Sequence, residues 1–329
     1  MAMLKFHEIE NASNRIAPHV LRTPLICSHS LSKMLGINLI LKPEFLQETG
    51  SFKIRGATNA MLSLPEIKQK FGVVTASSGN HGPALAFAST KLGIKSVICL
   101  SKLVPKNKIE NVRANGGSLH VKGDDYDACL EACMDLVKNE GLNLIHPFDD
   151  PSVVAGAGTI GLELIEDTDR DVDCILVPLS GGGLLAGIAT AVKTLAPKVR
   201  VIGVSMEKGA SMFKSIQAGR PVNVKEMKTI ADALGGNIGL NNKWTFETIQ
   251  YLVDDIVVVS DEIIKKAMTT VFYSLGFTLE GAGAVGIAAL MSGAVKTRGK
   301  AACILSGRNI APEKFINILK KERNFNRVD

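Results

Sequence analysis

The chain has 329 residues, 46% apolar and 21% charged, with 38 Lys and Arg against 32 Asp and Glu for a formal charge of +6. At roughly 100–200 residues per domain this is enough for about two domains and a large core, and the apolar fraction excludes a disordered chain. No apolar run reaches the roughly 18–20 residues of a membrane helix, and the start, MAMLKFHEIENASNR, turns polar too soon for a signal peptide.

Composition does not assign the first 70 residues to a particular unit. Within them, GSFKIRGA (50–57) sets Lys53 between Phe52 and Ile54, where a helix is expected to start. Burying such a lysine lowers its pKa, and a neutral amine can form a Schiff base; taken alone, the segment reads better as a surface lysine, and it is the combination with a phosphate-type glycine loop that favours the Schiff base. The strand Val73–Ala76 runs into Ser77–Ser78–Gly79–Asn80–His81–Gly82. Hydroxyls, an amide and helix-start N–H groups suit a carboxylate ligand, whereas a plain N-cap needs a single Ser or Asn. His81 reads either as a hydrogen-bonded structural histidine or as a catalytic one.

Strands Val97–Leu100 and Leu119–Val121 follow, alternating with helical stretches 105–115 and 125–139. The segment His146–Pro147–Phe148–Asp149–Asp150–Pro151 carries two prolines, which break a helix and part this set of strands from the next. The strand Cys174–Pro178 leads directly into Ser180–Gly181–Gly182–Gly183–Leu184–Leu185–Ala186–Gly187 and a helix over 184–196. Three glycines permit close backbone approach, and a helix start offers free N–H groups, which together point to a phosphate. Strands Val199–Val204, Ile256–Val259 and Ala302–Leu305, with a helix over 261–275, complete the series. Strands buried on both faces and joined by helices mean a mostly parallel α/β fold.

Two segments, Gly156–Gly161 and Gly281–Gly286, match GxGxxG by letter. Neither follows a buried strand, as a dinucleotide site requires, and both read as small-residue helix starts that allow close packing. The basic runs at 106–108 and 320–323 read as solvated helix faces. With 5% aromatics no nucleic-acid partner is expected, and the positive balance suits small anions. The six cysteines, at 27, 99, 129, 133, 174 and 303, form no CxxC and no zinc spacing; a reducing cytoplasm is expected. GxSxG, P-loop and HExxH patterns are absent.

GSFKIRGA, SSGNHG, SGGGLLAG and LSGRN, in that order, resemble the fold-type II pyridoxal-phosphate enzymes of the serine/threonine dehydratase and serine racemase family. The resemblance covers residues 5–320. It implies a tryptophan synthase β-subunit-like α/β fold with two parallel-sheet domains. The larger would comprise residues 1–61 plus 148–329 and bind the cofactor, with a small domain of residues 62–147 inserted in it. It also implies a homodimer. Lys53 would be the Schiff-base lysine and base, Phe52 would pack on the cofactor ring and Asn80 would bond its 3-hydroxyl. Gly181, Gly182, Gly183 and Leu184 would hold the phosphate, and Ser306 would face the pyridine nitrogen. Ser77, Ser78, Asn80 and His81 would bind the substrate carboxylate.

The implied activity is an ammonia-lyase. It would remove water and then ammonia from threonine, serine, 3-hydroxyaspartate or a hydroxyectoine-derived amino acid to give a 2-oxo acid. Ser78, placed to protonate the opposite face of Cα, permits the alternative of an amino-acid racemase. A nicotinamide oxidoreductase and a non-catalytic cofactor-binding protein complete the readings. Besides Ser78, where many dehydratases have alanine, two further features depart from the family pattern. Arg308 in Ser306–Gly307–Arg308–Asn309, together with TIADALGGNIG (229–239), resembles the hydroxyectoine-utilisation and hydroxy-amino-acid dehydratase branch. Arg308 is either a surface charge or, facing the cleft, a partner for an extra substrate carboxylate. In place of the racemases' acidic cation site stands Ser205-Met-Glu-Lys-Gly209-Ala-Ser211, and no protein-ligated metal is expected.

Overall fold

The computed structural model describes residues 3–104, 106–123 and 126–325. Its strands are β1 (Ile26–Cys27), β2 (Asn38–Lys42), β3 (Val73–Ala76), β4 (Ser96–Leu100), β5 (Ser118–Val121), β6 (Asn143–Leu144), β7 (Cys174–Pro178), β8 (Arg200–Met206), β9 (Asp255–Val259) and β10 (Lys300–Ile304). Six form one sheet in the order β1-β2-β10-β7-β8-β9, and four form a second in the order β5-β4-β3-β6. Every pairing is parallel except the antiparallel β1–β2 pair at one edge.

Side-chain alternation along the central strands builds two cores in the six-stranded sheet. Ile175, Val177 and Val201 face the helices Phe6–Ile16, Pro151–Asp167 and Gly183–Leu195. Cys174, Leu176 and Ile202 face the helices Asp261–Leu275, Gly281–Met291 and Pro312–Phe325. The four-stranded sheet is likewise covered on both sides. Helices Lys53–Leu62 and His81–Leu92 lie on one face, and the buried thiols Cys129 and Cys133 pack on the other. Among the described residues no helix is long and apolar enough to cross a membrane.

The seven strands expected from the sequence are all present, with ends displaced by two residues at most. β1, β2 and β6 were not legible. β2 ends on Lys42, a cation whose side chain is fully buried because its ammonium donates to Glu163 Oε2 and to the Thr23 carbonyl, each at 2.7 Å. Pairing of β2 with β10 places the N-terminal segment in the six-stranded sheet. Two expectations need correction. Pro151 does not break a helix but opens one: it is the first residue of Pro151–Asp167, where no N–H is needed, and Asp150 caps the N–H groups of Ser152 and Val153. Gly156–Gly161 therefore lies inside that helix rather than at its start. Its glycines do serve close packing, since a Cβ on Gly156 would stand 2.5 Å from the Arg55 carbonyl oxygen and 2.8 Å from Gly56 Cα.

Candidate active site

Lys53 is the first residue of helix Lys53–Leu62. The turn that carries it is tied to the segment after β10, where the Phe52 N–H donates to the Ser306 carbonyl at 3.0 Å. Beneath the turn, Arg55 is fully buried with its guanidinium forked between two carboxylates. Nε donates to Glu44 Oε2 at 2.8 Å and Nη1 to Glu163 Oε1 at 2.6 Å. With Lys42 on Glu163, this makes a balanced set of two cations and two anions locking the Lys53 helix to helix Pro151–Asp167. The Lys53 ammonium donates to the Pro147 carbonyl at 2.7 Å and sits 5.2 Å from the centre of the Phe52 ring. Burial pushes its pKa down to about 8.

The glycine loop leaves β7 and turns into helix Gly183–Leu195. Gly182 takes φ +93°, a conformation open to glycine, and a Cβ there would stand 2.6 Å from Ile249 Cδ1. Phe148 presses on Gly181 and Gly183, and Thr245 Oγ1 donates to the Gly181 carbonyl at 2.8 Å. No side chain caps this helix, although its first turn is buried. Buried N–H groups without a cap need a partner, and a phosphate supplies one.

The Ser77–His81 loop joins β3 to helix His81–Leu92. Asn80 occupies the N-cap position yet makes no cap bond. Instead its Nδ2 donates to Glu280 Oε1 at 2.7 Å and its Oδ1 accepts from Asn309 Nδ2 at 2.8 Å. The amide is thereby oriented, with one N–H left for a further acceptor. Glu280 is buried, and burial raises its carboxyl to about 8. His81 is also buried, with Nε2 3.4 Å from the Ile145 carbonyl, and burial pushes its ring down to about 3. The imidazole is thus neutral, as a hydrogen-bonded structural histidine would be.

These elements meet in one place. Phe52, Lys53, Asn80, Gly181, Gly182, Gly183, Leu184 and Ser306 all line a single cavity between the two sheets. A wider cavity of about 550 Å³ adjoins it, sharing Lys53 and Asn80 and adding Ser77, Ser78 and His81. The donor set fits pyridoxal phosphate: an amine kept partly neutral, an uncapped helix start and an oriented amide on a common wall. Glu280, Asn309 and Pro147 were missed from sequence. Glu280 immediately precedes the second GxGxxG, a segment read only as packing, and Pro147 lay in what read as a connector. Arg308 is exposed and lines a third cavity that shares Ser77, Ser78, Gly79 and Asn80 with the wide one but does not contain Lys53. Since Ser77, Ser78 and Asn80 line that cavity as well, both readings of Arg308, a surface charge and a partner for an extra substrate carboxylate, stand.

A parallel two-sheet α/β protein with a buried lysine facing a glycine-rich helix start is the architecture of a fold-type II pyridoxal-phosphate enzyme. The chain belongs to the family described as pyridoxal-phosphate dependent enzyme, whose sequence model matches residues 16–307. A Sinorhizobium fredii relative, provisionally named a threonine dehydratase, is 48% identical over 311 residues, covering 94% of this chain and 93% of its own. The L-threonine ammonia-lyase of Geobacter sulfurreducens is 42% identical over 310 residues, 94% of this chain and 76% of that one. Among solved structures, maize serine racemase superposes with a TM-score of 0.90 at 33% identity, covering 99% of each chain.

Proposed function

We propose that the protein is an ammonia-lyase of the threonine dehydratase type, acting on a β-hydroxy amino acid. The observation that carries this reading is the convergence of the Lys53 amine, the glycine loop, Asn80 and Ser306 on one cavity, with the Ser77–His81 loop in the adjoining one. The N–H groups of Gly181, Gly182, Gly183 and Leu184 hold the cofactor phosphate, Phe52 packs on the ring, and the free N–H of Asn80 meets the 3-hydroxyl. Ser306 presents a neutral hydroxyl to the pyridine nitrogen. When bound, pyridoxal phosphate supplies an electron sink for the pair left at the substrate Cα. Ser77, Ser78, Asn80 and His81 hold the substrate carboxylate. Lys53 Nζ, its pKa lowered by burial to about 8, takes the Cα proton in its unprotonated form. Departure of the β-hydroxyl as water leaves an enamine, which tautomerises and hydrolyses to a 2-oxo acid and ammonia.

Ser78 lines the Lys53 cavity and favours racemisation as the second activity, by giving a proton to the opposite face of Cα. Residues 62–147, which supply the four-stranded sheet, act as a small domain inserted in the rest. The thiols, five of the six buried, suit a reducing cytoplasm, and the enzyme works as a homodimer of the hydroxyectoine-type branch. The test is turnover of L- and D-threonine, L- and D-serine and 3-hydroxyaspartate by the holoenzyme, following oxo acid, ammonia and chirality. Oxo acid with equal ammonia, abolished by Lys53→Ala, is expected; inversion without ammonia would make the racemase primary.

A further inference from the structure

Three charged side chains at the mouth of the Lys53 cavity have no part in the chemistry above. Lys108, on helix Lys106–Ala114 beside the four-stranded sheet, and Lys314, on helix Pro312–Phe325 against the six-stranded one, approach a single carboxylate. That carboxylate is Asp232, 3.6 Å from Lys108 and 3.9 Å from Lys314. Both separations lie beyond hydrogen-bond range, and the side chains are 37%, 42% and 49% exposed for Lys108, Lys314 and Asp232. The ions are adjacent and free to exchange partners. All three line the wide cavity that also holds Lys53 and Ser77–His81.

One carboxylate neutralises one ammonium, so a positive charge is left over. The rest of that wall does not cancel it, since Lys228 there is matched by Glu226. The trio also acts on the cofactor cavity. Glu280, raised first by its burial, is raised further by Asp232 and opposed by Lys108 and Lys314. A β-hydroxy amino acid with one carboxylate engages it at the Ser77–His81 loop. A substrate with a second acidic group finds its complement in these two ammonium groups, which line both this cavity and the adjoining one that Arg308 borders.

We propose that Lys108 and Lys314 form a distal acid subsite, so that the preferred substrate is a β-hydroxy amino acid bearing a second acidic group. Asp232 fills the subsite when substrate is absent. For turnover this rests on the ammonia-lyase reading; for binding it does not. The probes are L-aspartate and L-alanine, which differ in the second carboxylate and lack the β-hydroxyl, so neither can lose water. Titrated calorimetrically into holoenzyme, aspartate is expected to bind more tightly. Its advantage should shrink at least about threefold in Lys108→Met and in Lys314→Met, shrink further in the double variant, and grow in Asp232→Asn. Lys320→Met, an exposed position on the same helix, controls for net charge and should keep the advantage. Equal binding of the two probes, or an advantage unmoved by the lysine variants, overturns the subsite. Turnover separates the two claims. Threonine consumed with a kcat/KM equal to or above that of 3-hydroxyaspartate overturns the subsite and leaves the lyase standing. No oxo acid from either overturns the lyase, and calorimetry still decides the subsite.

Discussion

Lys53 is useful because its surroundings penalise its charge. An ammonium in water loses its proton near 10.5; here burial brings that to about 8, and the Lys53 ammonium donates to the Pro147 carbonyl. A cell near neutral pH therefore keeps a share of the amine unprotonated, and the neutral amine is the form that attacks a carbonyl carbon. Capture of pyridoxal phosphate by the apoprotein, followed by absorbance in stopped flow, should accelerate as pH rises through about 8 and level off above it. A profile still climbing towards 10.5 would mean the amine is solvated and the burial argument wrong. His81 and Glu280 show the same principle without a charge to lose. Burial holds the ring unprotonated and the carboxyl protonated at neutral pH, so both can orient a ligand without an unpaired charge in the cavity.

Helix Lys53–Leu62 places that amine, and the Arg55 cluster places the helix. Removing one partner from a buried ion set strands the others, at a cost of about 3–5 kcal/mol. Arg55→Met, with no side-chain exposure to relax into, should lose that much in denaturant unfolding, and a loss under about 1 kcal/mol would show the cluster to be solvent-screened. Little of this was legible in advance. Strands such as β3 and β7 show as short, nearly continuous apolar runs, because both faces are covered. That signal fails at β2, where Lys42 looks like a surface residue until Glu163, 121 positions away, is brought to it. Local chemistry marked Lys53 and the glycine loop, since a cation among apolar residues and three successive glycines are unusual on their own. Glu280 and Asn309 carry no such mark: their meaning comes from Asn80, 200 and 229 residues distant, and only the fold sets that distance to a hydrogen bond.

At the scale of the whole molecule the cavity is a seam. Asn80 comes from the segment after β3 in the four-stranded sheet, whereas Gly181–Leu184 and Ser306 follow β7 and β10 in the six-stranded one. A ligand that touches both walls binds the assembled arrangement and not the unfolded chain, so it must stabilise that arrangement by mass action. At a hundredfold excess over its dissociation constant the gain is about 2.7 kcal/mol. For a chain of this length the unfolding entropy converts it to a rise in Tm of about 4 °C. Inorganic phosphate, which engages only the glycine-loop wall, should give a smaller rise at the same multiple of its own constant only if it also binds partly assembled forms. Comparing the two ligands by calorimetry at matched saturation therefore reports whether the loop is competent by itself. Equal shifts would mean that the phosphate cradle exists only when both sheets are in place; a smaller shift with phosphate would mean that helix Gly183–Leu195 keeps its binding end after the seam has opened.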